Sequence, residues 1–577
     1  MSSNFSKFLF IYGSALITFS LSLFCVSWLS LLFRQEISSF SFVVSTILTL
    51  IFVLWSTKAY FPKNQLLVTA GVMLAGLISG AISVLIARQF YDLSYDGQAY
   101  HGEAIVELIN GEWNPFVSRA SGYNKLHGMW LDAYPKASWF DAVSLFRITN
   151  NYEDTKAFNI FFGFASVAYS IVALSFFKLN NFFKSILVFL ATFNPLFVLQ
   201  YNGLLLDGQL SSLLWILFCF FMIAFHKFDK VIWVSLFAFI ILLINVKTAG
   251  LIYFIISSVC FLIILNLRRR EDLSKIFLPI ILGFLVAVTI FGFNPYLTNT
   301  NAHKNPVFPS LDKKAFDFTE NTPKNYRGKS NIEIFVSSIF FATDRDFSEK
   351  NSEGAVIKNP LSISANEIDS LRVGAIKKGG FGPLFAASFL AVLLPLLLIA
   401  IKSLKGFKLK KIVWFDHDTE KWHFDIKTGH IYIIFTLFVF GSCIMTSTSN
   451  TFRYIPQFWL WCVVSLGYIF TYQKSWIFKV LGLLAAAVMI CNIAVTFYYN
   501  TTKQLEYSAE TKTKLQAMAQ KSVDNPIDVN IGVGTANRLR LKEAGVNFID
   551  SPKPLTCKSV GAWAVLPENP MNACLDN

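Results

Sequence analysis

The amino-acid sequence predicts an all-α polytopic membrane protein with about 13 transmembrane helices, large outer loops and a small C-terminal α/β appendage. Three observations carry that prediction. Apolar runs of about 20 residues recur along the chain, the length that a helix needs to cross the hydrocarbon layer of a bilayer. Hydrophobic residues make up 54% of the 577 and aromatic residues 16%, and the mean hydropathy is +0.51, which excludes a soluble globular class. The third observation is charge placement. A net charge of +14 would suit nucleic acid, but the Lys and Arg residues gather in short loops between apolar runs. That is the positive-inside pattern of a membrane protein, and no nucleic-acid partner is expected.

In order, spans are expected near residues 9–33, 38–57 and 66–87, joined by Arg34, Gln35 and Glu36 and then by a turn carrying Lys58 and Lys63. Lys7 puts the N-terminus in the cytoplasm, so the third span delivers residues 91–116 to the outer side. Further spans are expected near 157–177, 185–201, 209–225, 231–246 and 250–267. Their inner loops hold Lys178, Lys184, Lys227, Lys230, Arg268, Arg269, Arg270 and Lys275. The last five lie near 276–293, 381–401, 431–449, 455–472 and 475–497, with the basic loop 402–430 inside and the C-terminus outside. The first span is long, weakly charged at its start and without a small-residue cleavage site, so it reads as a retained helix. This divides the chain into a transmembrane unit, 1–497, with outer loops 88–156 and 294–380, and an extracytoplasmic unit, 498–577.

Cysteine usage agrees. Cys25, Cys219, Cys260, Cys443, Cys462 and Cys491 lie in apolar runs, where a thiol is a small hydrophobe. Cys557 and Cys574 lie in the outer tail, where a disulfide is favoured over two free thiols.

The polar residues that suggest chemistry are on the outer side. The first outer loop opens with YDLSYDGQAYH, residues 91–101. Asp92 and Asp96 precede a segment in which Ala104, Ile105, Leu108 and Ile109 share one helical face and Glu103 and Glu107 the other, as in a helix lying along the interface. Asp96 is equally a candidate N-cap for that helix. Gly111 ends it, and Trp113, Pro115 and Phe116 anchor the exit. His127, Trp130, Asp132, Tyr134, Pro135, Lys136 and Trp139 form a polar and aromatic patch. It suits either sugar stacking or an interfacial belt.

Three short outer turns each carry a charge. Asp207 follows Asn194-Pro195 and the run 200–206; Lys247 sits in NVKTAG; Arg453 sits in NTFRYIP. Ionisable groups at membrane depth are costly and point to function. For Lys247 the alternatives are snorkelling to the headgroups and holding a lipid phosphate. Arg453 is the stronger anion ligand, because a guanidinium matches phosphate bidentately. In the second outer loop, His303, Asp344 and Asp346 stand out, and GGFGP at 379–383 reads as a hinge before a helix. Asp344 and Asp346 leave room for a divalent cation, although no metal is required.

The inner face offers little chemistry. His226, His417, His423 and His430 match no zinc spacing with a cysteine, and the chain has no P-loop or nucleophile elbow. In the tail, 528–534 reads as strand and loop, 537–544 as a short helix and 546–549 as a second strand. This is too short for a full dinucleotide fold and suits a docking or substrate-shaping cap.

On these residues the chain resembles the GT-C superfamily of glycosyltransferases, polytopic enzymes that take a sugar from a polyprenyl-phosphate donor on the outer face of the membrane. The resemblance rests on the acidic motif of the first outer loop, the interfacial helices there, the NP turn ending at Asp207, the lysine of NVKTAG and the RYIP element, and covers about 66–472. It departs from the family in two extra spans before the catalytic loop and in an acidic pair spread as D-x-x-x-D. The resemblance implies that Asp96 or Asp92 is the catalytic base, and that Arg453 and Lys247 hold the donor phosphate. It further implies that Tyr95, Gln98, His101, His127, Trp130, Asp207 and His303 line the substrate site. One carboxylate without a covalent intermediate implies inversion at the sugar carbon. The expected partners are a polyprenyl-phosphate sugar, a glycan or lipid-linked acceptor and membrane lipid, in the cytoplasmic membrane of a bacterium.

Two other classes fit parts of the pattern. A flippase for a lipid-linked saccharide would use the same outer cations, but it predicts an internal repeat and intramembrane charges on both halves, and the sequence has neither. A non-enzymatic assembly subunit has no need of acidic and basic groups collected from so many loops.

Overall fold

A computed structural model describes residues 3–92, 94–122, 125–310, 312, 314–315, 323–326, 328–344, 355–372, 374–376, 378–404, 413–416, 421–424, 428–446, 448–551, 555, 560–563 and 571–574. The first three helices are α1 (Asn4–Leu32), α2 (Ser39–Tyr60) and α3 (Gln65–Ala87). The first large loop contains α4 (Gly102–Ile109), α5 (Lys125–Ala133) and α6 (Ala137–Thr149). The central bundle follows as α7 (Ala157–Leu174), α8 (Asn181–Thr192), α9 (Pro195–Gln200), α10 (Leu206–His226), α11 (Lys230–Val246), α12 (Thr248–Arg268) and α13 (Leu273–Val286). The second large loop carries α14 (Thr298–His303), α15 (Asn331–Ile339) and α16 (Ala365–Ser370). After α17 (Phe385–Leu404) comes a hairpin of β1 (Val413–Asp416) and β2 (Lys421–Phe424). The helical part closes with α18 (Thr428–Met445), α19 (Gln457–Tyr472) and α20 (Trp476–Lys521).

Among the described residues, nine helices are long and apolar enough to cross a membrane. Burial sorts them by position. The apolar windows of Tyr152–Leu174 and Leu206–His226 are 83% buried, whereas that of Gln65–Ala87 is 22% buried. So α7 and α10 form the centre of the bundle, and α3 turns its apolar surface outward, as a lipid-facing helix does. Helix α1 packs on α2, α6, α7 and α11. A run of small polar groups holds α1 in place: Ser14 pairs with Tyr169 at 2.8 Å, Ser27 with Ser144 at 2.9 Å, and Ser20 donates to Asp141. In an apolar surround these groups find partners across helices.

The connections separate into two ends. At one, Tyr60 donates to Asp229, Lys227 stands over the Tyr60 ring, Lys7 stands over Phe61, and His226 stacks on Phe176. At the other, Arg147 donates to the carbonyls of Ile37 and Ile109, and Asn114 donates to Leu31. The basic turns after α2, α7 and α10 therefore share one end, and the turn after α1 shares the other with the first large loop.

Several expectations change. Helix α4 does not lie exposed along a surface. All eight of its residues are buried, including Glu103 and Glu107, because Ser121, Gly122 and His127 close over its polar side. Ser121 and Gly122 donate to Glu107, and His127 pairs with Glu103. The helix of the final span continues past 497, since α20 runs unbroken for 46 residues. Asn492, Thr496, Asn500, Gln504 and Ser508, four residues apart, form a buried polar stripe along it. Asn492 donates to Phe381, Asn500 to Leu371, and Ser508 accepts from the Tyr91 amide. The stripe anchors both large loops, and a boundary at 497 would cut through it. The glycines of GGFGP pack closely here: a side chain at Gly382, whose φ is +105°, would meet Asn492 and Thr496.

Beyond α20, β3 (Ile527–Asn530), α21 (Asn537–Glu543) and β4 (Phe548–Asp550) form a parallel β-α-β unit. β5 (Val560–Trp563) and β6 (Met571–Cys574) extend the sheet to the order β4-β3-β6-β5, with β6 antiparallel to both neighbours. Its core joins Val529 and Leu541 to Leu515 and Met518 of α20, so the appendage sits on the end of the long helix. Cys557, His417 and Asp346 lie outside the described residues, and with Cys557 the expected disulfide to Cys574.

Candidate functional site

Four connections at the same end of the bundle converge on one cluster of charge. Asp96 comes from the first loop, just before a π-helical turn at Gly97–His101. Asp207 is the second residue of α10. Lys247 is the single extended residue between α11 and α12. Arg453 sits in a 3-10 turn, Phe452–Tyr454, ahead of α19. Arg453 Nη1 is 3.1 Å from Asp96 Oδ2 and 3.9 Å from Asp207 Oδ2, and Lys247 Nζ pairs with Asp207 Oδ1. Two carboxylates and two cations thus alternate as Asp96, Arg453, Asp207, Lys247. Arg453, Asp207 and Lys247 are nearly inaccessible, and Asp96 is the most open, its side chain 22% exposed.

Aromatic rings enclose the cluster. Arg453 Nη2 donates to the Tyr454 hydroxyl at 2.8 Å, and its guanidinium stands 4.9 Å from that ring. Tyr253 donates to the Tyr454 carbonyl. Burial depresses both cations, but Tyr454, Asp96 and Asp207 around Arg453, and Asp207, Tyr134 and Tyr454 around Lys247, reverse this and hold each above its usual range. Both are therefore charged at neutral pH. Arg453 Nε is buried and has no hydrogen-bond acceptor among the described residues. One face of the guanidinium fork is committed, and the other still has a donor to give.

His101 closes another side. Its Nδ1 accepts from Trp139 Nε1 at 3.0 Å, so the neutral ring carries its proton on Nε2. Burial, with Lys247 and Arg453 nearby, lowers its pKa to about 3 against the opposing pull of Asp96. His101 is thus a neutral donor. Tyr134 stacks on Trp139 at 5.8 Å and Trp130 on Tyr100 at 6.1 Å, which places the expected aromatic patch beside the cluster.

The two aspartates of the first loop have different surroundings. Asp92 is 2% exposed. Its Oδ1 accepts from the Ser94 amide at 2.9 Å and its Oδ2 from the Leu204 amide at 3.0 Å. Asp92 thus ties the first loop to the turn that leads into Asp207. The chain folds so closely over this carboxylate that a side chain at Gly97 would collide with it. Asp96 has helical backbone angles and makes no side-chain cap; Ser94 Oγ serves the Gly97 amide instead, at 3.1 Å.

Of the other expected residues, Asp207, Lys247, His101 and Trp130 join the cluster or its rim. Tyr95 is half-buried beside Asp96 in the chain, and Gln98 is buried in the π turn. His127 is held by Glu103 at 3.2 Å, inside the loop. His303 is exposed and stacks on Phe308. Asp344 pairs with Lys378 at 3.0 Å, and no group of three metal-ligating side chains occurs among the described residues. Tyr253 had no local signal in the sequence, and Tyr100 lay within the motif 91–101 without being singled out.

Below the cluster lies an apolar cavity of about 560 Å³ between α10, α12, α18 and α19. Tyr253, Ser442 and Gln457 line it near the charges, and His226, Arg268 and Arg269 line it at the opposite end. From Tyr253 to Arg268 the rise along α12 is roughly 22 Å. No protein-family model, curated protein or solved structure matches this chain.

Proposed function

We propose that the protein is a GT-C-like glycosyltransferase that moves a sugar from a polyprenyl phosphate to a glycan or lipid-linked acceptor on the outer face of a bacterial cytoplasmic membrane. The observation that carries the reading is the buried Arg453. Its fork is shared between two carboxylates and a phenol, and its Nε–H remains available for a phosphate oxygen beside Lys247. The apolar cavity leading away from it suits the lipid tail of such a donor. The nine long helices, with the shorter apolar α8, α11 and α18 and with α19, make thirteen crossings, N-terminus inside and C-terminus outside.

The cluster is neutral in total, so a phosphate diester entering it competes with the carboxylates for the cations. As the phosphate takes Arg453, Asp96 is released and becomes the base. The acceptor hydroxyl gives its proton to Asp96 while its oxygen bonds to the anomeric carbon. The bond from that carbon to the phosphate oxygen breaks, and Arg453 and Lys247 stabilise the charge that the leaving phosphate gains. One displacement inverts the anomeric centre. His101 Nε2–H and the rings of Trp130 and Tyr134 orient the sugar. Asp92, with both oxygens engaged by amides, shapes the loop and leaves the base role to Asp96.

The test is transfer by the purified protein from radiolabelled polyprenyl-phosphate sugars to crude membrane acceptor, beside Asp96→Asn. We expect transfer in the parent and at least about a 10³-fold loss in the variant, at unchanged expression. Full activity in Asp96→Asn removes the base assignment. Donor binding without transfer in either protein favours a flippase.

A further inference from the structure

We infer that Arg540, in the C-terminal unit, is a positioning residue for the transfer site and acts through the backbone of Asp92; this rests on Asp96 being the base. The loop that carries Asp96 is irregular and turns through a π-helical segment, so its shape depends on groups outside it. Asp92 is where they meet. Its amide donates to Glu153 Oε2 at 3.3 Å, and its carbonyl accepts from Arg540 Nη2 at 3.2 Å. Arg540 Nε donates in turn to Glu153 Oε1 at 2.6 Å. One ion pair, half of it from α21, therefore grips both the N–H and the C=O of Asp92. The Asp92 side chain then fixes Ser94, which leads into Asp96, and Leu204, which leads into Asp207.

The grip is built for arginine. Its third nitrogen, Nη1, donates to Asn537 at 3.0 Å, and its guanidinium lies 5.4 Å from the rings of both Tyr91 and Tyr152. Arg540 is 2% exposed. Lysine keeps the charge but has no planar fork to span Glu153, the Asp92 carbonyl and Asn537 together. The appendage also packs against the π turn itself: a side chain at Gly102 would meet Ala536, and one at Gly534 would approach Gln98. Its task in this arrangement is to hold the base and the Asp207 turn in register.

The experiment uses the full chain in detergent, as parent, Arg540→Lys and the milder Asn537→Ala. It measures kcat and donor KM, binding of a short-chain polyprenyl phosphate, and amide hydrogen exchange across 91–102. A residue that positions the base should lower kcat when changed and leave donor binding intact. For Arg540→Lys we expect kcat to fall about 10²-fold with KM unchanged, and exchange to quicken in 91–102 but not along α20. Asn537→Ala should give a smaller change of the same kind, and it decides the matter if Arg540→Lys does not fold. Parental kcat and slow exchange in the variants overturn the inference while the transferase reading stands. If the parent itself transfers nothing, that reading fails, and the exchange result alone decides whether Arg540 holds the loop.

Discussion

The two ends of the bundle carry similar charges and use them differently. At the end with the basic turns, ion pairs are local and wet: Lys227 with Asp229 at 3.2 Å, and Arg269 and Lys275 with Asp272, where the Lys275 side chain is 69% exposed. At the other end, Arg453 reaches Asp96 across 357 positions of sequence, and the partners are largely shut off from solvent. Exposed pairs contribute little and serve topology. Buried ones cost desolvation energy that packing alone would not require, so their retention points to chemistry.

The sharpest way to break that comparison is to remove one cation from each end. Arg453→Ala takes the guanidinium from the partly open Asp96 and from the buried Asp207, which keeps only Lys247, and should cost about 3 kcal/mol, together with binding of polyprenyl phosphate. Lys275→Ala should stay within about 0.5 kcal/mol. Thermal unfolding in detergent measures both, and equal midpoints would erase the distinction between the ends. A smaller effect separates the two aspartates of the first loop. Asp92→Asn keeps one acceptor oxygen for two amides and should cost about 1–3 kcal/mol, with transfer lowered but not abolished. If Asp92→Asn instead matches Asp96→Asn in losing all transfer at parental stability, the roles assigned to the two residues are reversed.

The site was legible in part. Asp96, Asp207, Lys247 and Arg453 stand out because a charge in an apolar chain is costly wherever it falls, and that cost is a property of composition. Their mutual pairing is a property of packing, and no spacing in the sequence encodes it. Glu103 and Glu107 read as a solvent face because helical periodicity reports which side is polar, not what covers it. Ser121, Gly122 and His127 cover it here. The continuation of α20 past 497 was hidden because hydropathy falls where the helix leaves the apolar layer, while Asn500, Gln504 and Ser508 keep the four-residue spacing. In the tail, β3, α21 and β4 were visible as strand, helix and strand. The grip of Arg540 on Asp92 was not, since it joins segments 448 positions apart.

The finest test of the comparison concerns His101, a titratable group of the site end. Burial lowers its pKa to about 3, and its ordinary value is 6.5. Between those values the unfolded chain binds a proton there that the folded chain does not, so stability rises with pH across this window and is lost as pH falls through it. From pH 6.5 to 5.5 the loss from this residue should be about 1 kcal/mol. His101→Gln keeps an acceptor for Trp139 but has no proton to gain, so its unfolding midpoint should fall less steeply over the same interval. Above pH 6.5 the two curves should run parallel. If the parent and the variant instead lose stability equally between pH 6.5 and 5.5, His101 takes up its proton in the folded protein as readily as in the unfolded chain. Below pH 6.5 it would then face Asp96 as a third cation of the cluster, still donating from Nε2 but no longer accepting from Trp139 at Nδ1.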